Sequence, residues 1–495
     1  MRAALHSTIL APLFLFLAAL LLPQAAQAND PRAAGGMLAW PHDEMARALG
    51  IFVPDRMKAL DVPGVGLAIV ADGAIVYSGT FGKENKANSA PVTPATLFEG
   101  GELGEAVAAY GAMSMVRDRL LFLDAPLSRD LPAPWLSNKS DDASITLRNV
   151  LTHRSGLGDN VAHPSHSTSF EPDSRFARSG VGFLYLQHVM EVIAGEPFDA
   201  LMKTRVFSPL DMASSGYVLA PGERARLAQG YVPLSFLLTT FYLPFVIVFA
   251  IILGAFWAIA RFMLQRRLDP PDLLWPLFGG FGFAVAIVWW GLGFASAAFV
   301  IGVAIICALV LAMLGGIAYY LLYVAGLARA RDGVISRGNG PSERIIVVVA
   351  GAIALGAFLP ALSWNVPVQR LSVLRGAETA NAAASFHTTA QDMARFMIDI
   401  IDGGKLGADM RQRMLGERVA VDDRFSWALG LGIRQDGAHE TFWTRGSTMG
   451  FESLMVMDPA RRSGIIILTN SRQGGELAQD IARNVLGVEA VWSLP

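Results

Sequence analysis

Hydrophobic residues follow two patterns along this chain: continuous apolar runs in its middle, and amphipathic segments on either side. Residues 227–260, 273–328 and 345–369 contain no Asp, Glu, Lys or Arg. A membrane-spanning helix needs about 20 apolar residues, so the longest run has room for two helices. The pattern predicts an inserted bundle of four transmembrane helices, at residues 235–260, 274–294, 297–327 and 345–364.

Arginines between the apolar runs predict the orientation of this bundle. Arg261, Arg266 and Arg267 follow the first expected span, and Arg329 and Arg337 lie between the third and the fourth. Loops rich in arginine stay in the cytoplasm. We therefore expect a multi-pass protein of a bacterial inner membrane, with both flanks of the bundle on the outer side.

The N-terminus has the pattern of a secretory signal peptide. Arg2 precedes an apolar stretch at residues 9–22, which is shorter than a membrane span. Ala26-Gln27-Ala28 then fits the small-x-small rule for cleavage. An uncleaved anchor helix is the alternative, and the short apolar stretch favours cleavage.

The segments outside the bundle have the patterns of one mixed domain. Helical spacing of apolar residues occurs at 45–60, 390–401 and 475–486. Strand-like segments occur at 65–70, 74–77, 428–434, 441–444, 453–457 and 465–468. The first two strands flank Asp72-Gly73, which predicts a tight hairpin. Since strands occur at both ends with helices between them, we expect one antiparallel sheet built from both ends of the chain.

These patterns divide the chain into four parts. Residues 1–28 are the expected signal peptide, and residues 29–230 are the first part of the domain. Residues 231–366 hold the expected membrane insertion, and residues 367–495 complete the domain.

Composition agrees with a membrane protein and excludes several other classes. Hydrophobic residues make up 53% of the chain and charged residues 17%, against about 25% charged in ordinary soluble domains. The formal net charge of -2 offers no basic field for nucleic acid. The single cysteine, Cys307, excludes a disulfide framework within the chain and a cysteine-based zinc site.

Several stretches of the outer segments occur in the order known from one enzyme superfamily. They are Val62-Pro63-Gly64-Val65, residues 92–99, Leu-Thr-His-Arg-Ser-Gly-Leu at 151–157, residues 206–212, residues 388–396 and Gly450-Phe451. Together they resemble the serine beta-lactamase and penicillin-binding-protein superfamily, in its class C beta-lactamase, D-aminopeptidase and esterase branch. The resemblance implies an α/β (α+β) domain, with an antiparallel sheet flanked by helices and a helical subdomain.

The three catalytic motifs of that superfamily are replaced in this chain. The resemblance implies a Ser-x-x-Lys nucleophile motif, a Tyr-x-Asn motif and a Lys-Thr-Gly or His-x-Gly motif that edges the oxyanion site. No Ser-x-x-Lys occurs anywhere in the sequence. The aligned positions hold Glu102 and Glu105, then Arg178 and Gly180, and finally Thr444 and Gly446.

Two neighbouring carboxylates in a cleft need cationic partners. Glu102 and Glu105 share one helix face, and the aligned positions of Arg178 and Arg445 converge on the same cleft. We expect Glu105 and Arg178 to form an ion pair in place of the family's Lys–Tyr pair. The alternative is that both glutamates are solvated on the rim of an eroded pocket. Other candidate ligand-cleft residues are Ser179, Arg445, Ser447 and Phe451.

Three functions are open at this point. The first is a membrane-anchored, catalytically inactive homologue that binds a peptide, a cell-wall fragment or a protein partner in the cleft, with lipid around the bundle. The second is an active hydrolase (peptidase, esterase or beta-lactamase-like) that uses non-standard residues. The third is a structural subunit of a membrane complex. The sequence predicts no cofactor, no metal and no nucleic-acid partner.

Overall fold

The computed structural model describes residues 36–233, 236, 365–368, 379–436, 439–489 and 491–494. The expected signal peptide and, apart from Phe236, the four expected spans lie outside the described residues. Within the described ranges, no helix is both long enough and apolar enough to cross a membrane.

Nine α-helices and thirteen strands make up the regular structure of the described residues. The helices are α1 His42–Ala59, α2 Leu103–Arg117, α3 Lys139–Asp142, α4 Leu147–Leu151, α5 Gly180–Ala194, α6 Phe198–Met202, α7 Ala390–Asp402, α8 Ala408–Gly416 and α9 Gly474–Leu486. The strands are β1 Gly64–Ala71, β2 Ala74–Asn85, β3 Ala90–Pro91, β4 Phe98–Glu99, β5 Gly230–Pro233, β6 Asn365–Val368, β7 His387–Thr388, β8 Val419–Ala420, β9 Phe425–Trp427, β10 Gly432–Asp436, β11 His439–Thr448, β12 Phe451–Asp458 and β13 Ser463–Thr469.

Strands from both ends of the chain form one antiparallel sheet, as the sequence predicts. Nine strands follow the order β3-β2-β1-β13-β12-β11-β10-β9-β8. The two ends meet where β1 pairs with β13, with Val65 opposite Thr469 and Val70 opposite Gly464. The hairpin between β1 and β2 turns at Asp72 (φ 51°) and Gly73 (φ 76°), the left-handed backbone that a two-residue turn requires.

One expected strand begins later than its apolar pattern indicates. The pattern at 428–434 predicts a strand throughout, but β10 starts at Gly432. The residues before it form a tight turn, in which the Ala428 N–H donates to the Leu431 carbonyl. Gly430 has φ of 89°, a left-handed conformation that interrupts an extended strand.

The sheet separates two hydrophobic clusters. On one face, Leu49 of α1 and Ile481 of α9 pack with Leu454 of β12. On the other face, α2, α5 and α7 pack with Met455 and Met457, the alternate residues of the same strand. Because side chains alternate across a strand and both faces are covered, this central strand is buried at every position and is apolar without interruption from Leu454 to Met457.

Strands β5 and β6 pair with each other on either side of residues 234–364. Gly230 lies opposite Val368 and Pro233 opposite Asn365 in an antiparallel ladder. Tyr231 fixes this ladder to the domain, because its N–H donates to the Asn470 carbonyl at 3.1 Å and its carbonyl accepts from the Arg472 N–H at 2.9 Å. Pro233 and Asn365 therefore lie opposite each other at one place in the domain.

Candidate functional site

The N-terminus of α2 carries both glutamates that replace the nucleophile motif, with Glu102 at the N-cap position and Glu105 in the first turn. The chain enters this helix through Gly100 and Gly101, and Gly101 has φ of 53°. The entry lies tight against β11, since a Cβ added to Gly446 would lie 1.7 Å from the Gly100 carbonyl oxygen. A helix N-terminus favours nearby carboxylates, so the fold places Glu102 and Glu105 where backbone charge supports them.

Glu102 is held by strand β11. Its Oε2 accepts a hydrogen bond of 2.5 Å from the N–H of Ser447, the residue directly after the third motif position. Burial raises the pKa of Glu102, and the nearby Arg178 and the Ser447 N–H oppose that rise. A backbone donor at the edge of the expected oxyanion site is thus occupied by a side chain of this protein.

Glu105 forms the expected contact with Arg178. Arg178 Nη2 lies 3.1 Å from Glu105 Oε2, so the ion-pair geometry predicted from the sequence is present. Glu105 is only 4% exposed. Burial raises the pKa of Glu105 to about 8, against the opposing effect of the Arg178 charge. At neutral pH the Glu105 carboxyl therefore holds a proton in most molecules and still accepts a hydrogen bond from Arg178.

His153 completes the floor of the site, although its sequence context indicates only a structural loop. Its Nδ1 accepts a hydrogen bond from the Ser179 N–H at 3.2 Å. A neutral ring therefore carries its proton on Nε2, which lies 3.7 Å from Glu105 Oε2. Burial, together with the Arg178 charge, lowers the pKa of His153 well below its usual value. The ring also packs against Trp427, with centroids 4.9 Å apart.

The second motif position lacks room for a large side chain. Ser179 is 1% exposed and caps α5, because its Oγ accepts from the Gly182 N–H at 2.9 Å. The Gly180 N–H donates to Asp159 Oδ1 at 2.8 Å. A Cβ at Gly180 would lie 2.6 Å from a methyl carbon of Val161. This position is therefore closed where the family places its asparagine.

Arg445 does not pair with the glutamates of α2, which corrects the expectation from the sequence. Its Nη2 lies 3.0 Å from Glu452 Oε2. Arg445 stands opposite Leu454 in the β11–β12 ladder, and Leu454 faces the α1 and α9 side. Because side chains alternate, Arg445 points away from α2, and the buried Thr444 lies on the α2 side.

Glu452 links Arg445 to the strand edge that holds Glu102. Its side chain is 1% exposed and its Oε1 accepts from Ser447 Oγ at 2.9 Å and from Arg472 Nη1 at 2.8 Å. Three donors therefore satisfy one buried carboxylate, as its burial requires. Phe451, the neighbouring candidate, is buried, and a Cβ added to Gly230 would lie 2.6 Å from its ring.

Two features of this site could not be found from sequence motifs alone. His153 has φ of 53°, and that left-handed turn aims its ring at the α2 glutamates. The Ser447 N–H is a backbone group, which no residue type identifies. The described residues contain no group of three or more His, Cys, Asp or Glu placed to hold a metal ion.

The sequence matches a known family over most of its length. A family model described as Beta-lactamase matches residues 52–273 and 327–490. Penicillin-binding protein 4 of Amycolatopsis lactamdurans is 24% identical over 186 residues, 34% of this chain and 49% of that protein. Esterase EstB of Burkholderia gladioli is 29% identical over 189 residues, 32% of this chain and 48% of that protein. The chain spans about half the length of these relatives.

Solved structures share the fold. A class C beta-lactamase superposes with a TM-score of 0.55 and 15% identity, covering 91% of this chain and 98% of that one. The octameric penicillin-binding protein homologue from Pyrococcus abyssi gives 0.54 and 15%, covering 89% and 77%. The resemblance inferred from the sequence stretches and the α/β beta-lactamase-like fold are thereby confirmed.

The raised pKa of Glu105 predicts how stability depends on pH. Between the usual pKa of 4.5 and about 8, the folded protein holds a proton that the unfolded chain releases. The contribution is complete below about pH 4.5 and is lost as the pH rises through about 8. We expect the free energy of unfolding to fall over this range by on the order of a few kcal/mol, since one pKa unit corresponds to about 1.4 kcal/mol.

The variant Glu105→Gln cannot titrate, so this decline should disappear. Urea unfolding of the wild type and the variant at about pH 5 and about pH 8 measures it. Glu44→Gln, at an exposed position of α1, is the matched control and should keep the wild-type pH dependence. A decline of equal size in Glu105→Gln would contradict the assignment.

Proposed function

The chain belongs to the Beta-lactamase family, and we propose that it is a member that binds a ligand in the cleft beside α2 without forming an acyl-enzyme. One observation carries the proposal. The carboxylate of Glu102 stands at the nucleophile position and accepts the Ser447 N–H at 2.5 Å. The site therefore lacks an alcohol nucleophile at this position. The Ser447 N–H, which would stabilise a developing oxyanion, is already bonded to Glu102.

The base positions support the same conclusion. Glu105 stands where the family lysine is expected, and Arg178 Nη2 lies 3.1 Å from it. An arginine remains protonated in proteins and cannot take a proton from an attacking alcohol. A neutral, buried His153 lies nearby, but its Nδ1 already accepts the Ser179 N–H.

The charges of the cleft favour a ligand that donates hydrogen bonds. Glu102 and Asp159 are the negative groups whose charges raise the pKa of the protonated Glu105, and Arg178 is the positive group that lowers it. The strand position expected to hold a cation carries the neutral Thr444. An ammonium group, such as the N-terminus of a peptide or the amine of a cell-wall fragment, is therefore a better occupant than a carboxylate.

A membrane anchor is part of the proposal. Strands β5 and β6 pair in an antiparallel ladder, so both ends of the intervening segment lie at neighbouring positions. An even number of membrane spans returns the chain to the side it left. The ladder therefore supports an even number of spans between its two strands, and the apolar runs of the sequence give four, with the family domain on the outer side of a bacterial inner membrane.

Hydrolysis driven by the two glutamates is the second candidate function. A buried carboxyl with a pKa of about 8 can donate a proton at neutral pH, and Glu102 lies one helical turn before it. If this chemistry operates, Glu102→Gln and Glu105→Gln each abolish turnover of a peptide or ester.

The proposal that this protein forms no acyl-enzyme can be tested by mass spectrometry of the intact protein. The full-length protein is incubated with a beta-lactam and, separately, with a fluorophosphonate, and its intact mass is measured. We expect no adduct with either reagent, because no serine has a lysine three residues later. As positive controls, a penicillin-binding protein that retains its acyl-enzyme must gain the mass of the beta-lactam, and a serine esterase must gain the mass of the fluorophosphonate less HF. An adduct on any serine of this chain would overturn the proposal.

The preference for a donating group is testable with matched peptides. Alanine tripeptide amides with a free or an acetylated N-terminus differ only in the ammonium group. We expect the free form to bind at least about fivefold more tightly in calorimetric titration, a difference of about 1 kcal/mol. Glu102→Gln should reduce that difference and Glu44→Gln should leave it unchanged. Equal or tighter binding of the acetylated peptide would contradict the proposed preference for an ammonium group. It would leave the proposal that no acyl-enzyme forms unaffected.

A further inference from the structure

A second cavity opens at the far end of α2. Its volume is about 450 Å³, which falls in the range of small-molecule sites. Ser114 and Arg117 of α2 line it. Ser114 lies twelve residues beyond Glu102, about 18 Å along the helix axis at 1.5 Å per residue. The cavity is therefore separate from the cleft described above.

Cations dominate the walls of this cavity. Arg117, Arg205 and Lys405 line it, with Glu196 as the one acidic lining residue among the described ones. Asp118 accepts from Arg117 Nε at 3.0 Å and from Arg205 Nη1 at 2.8 Å. Asp399 lies behind the lining Tyr110, so three positive groups are balanced by three negative ones, but only Glu196 of the negative groups lines the cavity beside the three cations.

Buried hydrogen bonds hold these walls in place. Tyr110, at the floor, donates to Asp399 Oδ2 at 2.6 Å, and Asp399 Oδ1 accepts from the Lys405 N–H at 2.6 Å. Arg117 Nη1 donates to the Lys405 carbonyl at 2.6 Å. Ser114, which is 2% exposed, donates to the Gly111 carbonyl at 2.7 Å. The cations therefore project from a fixed frame, and little ordering remains to be done on binding.

The segment that supplies Arg205 has an unusual backbone. Residues Lys203–Phe207 form a π-helical turn directly after α6. Thr204 and Arg205 of this turn both line the cavity. Isolated π-helical turns occur frequently at functional sites. This backbone feature is independent of the charge of the cavity.

We propose that the cavity binds a phosphomonoester group through Arg117, Arg205 and Lys405. Among the described residues, Arg117 Nη2, Arg205 Nε and Nη2, and Lys405 Nζ have no hydrogen-bond partner. Guanidinium forks match the oxygen geometry of a phosphate, and a lysine adds a point charge. A dianionic ligand pairs with the three cations that line the cavity.

The phosphate group has two sources, a soluble phosphate ester or the headgroup of a phospholipid. Inorganic phosphate is titrated calorimetrically into the full-length protein at low ionic strength. In a second arm, the protein is titrated with vesicles that contain phosphatidic acid, and with vesicles of phosphatidylcholine alone. Saturable binding in the first arm identifies a soluble ligand, and binding only to the phosphatidic acid vesicles identifies a lipid headgroup.

Arg205→Gln and Lys405→Gln should each weaken the binding at least about fivefold. Arg47→Gln removes the same charge from an exposed ion pair of α1 and should leave the affinity unchanged. Arg205→Lys keeps the positive charge but lacks the two parallel N–H donors of the guanidinium, and it should give an intermediate affinity. This variant keeps the test valid if Arg205→Gln fails to fold. Absence of saturable binding in both arms, or equal weakening by Arg47→Gln, would overturn the proposal.

Discussion

The hydrogen bond from the Ser447 N–H to Glu102 Oε2 joins the start of α2 to the edge of β11, and the rest of the cleft depends on it. A buried carboxylate is stable only where donors compensate its lost hydration. Ser447 is itself held by Glu452, which is bonded on both oxygens. The Glu102 carboxyl at the nucleophile position is thus tied to the strand that borders the site.

The same demand for partners explains the second glutamate. Glu105 is more deeply buried than Glu102 and receives the guanidinium of Arg178. The pair takes the place of a proton-relaying pair, because arginine remains protonated while the carboxyl alone titrates. The site holds the positive charge of Arg178 beside the Glu105 carboxyl. Recognition of a polar ligand is the function that we propose for this arrangement.

Patterning along the chain was sufficient to predict the sheet, because alternation located the strands. The contact between Glu105 and Arg178 was expected from the family resemblance, which places both aligned positions in one cleft, with a solvated pocket rim as the alternative. The partner of Arg445 could not be predicted. The face of the sheet on which its side chain lies follows from the strand register, in which Arg445 lies opposite Leu454, and the sequence does not show that register. His153 was missed for a related reason, since its left-handed backbone sets the direction of its ring. The cavity beyond Ser114 joins segments from distant parts of the chain, and no local pattern marks it.

The most direct test of this account is a crystal structure of the intact protein at neutral pH, at a resolution that defines the side chains of the cleft. The account predicts that the Glu102 carboxylate lies within hydrogen-bond distance of the Ser447 N–H and that Arg178 remains on Glu105. A structure in which Glu102 turns to solvent, leaving the Ser447 N–H open to a ligand oxygen, would contradict it.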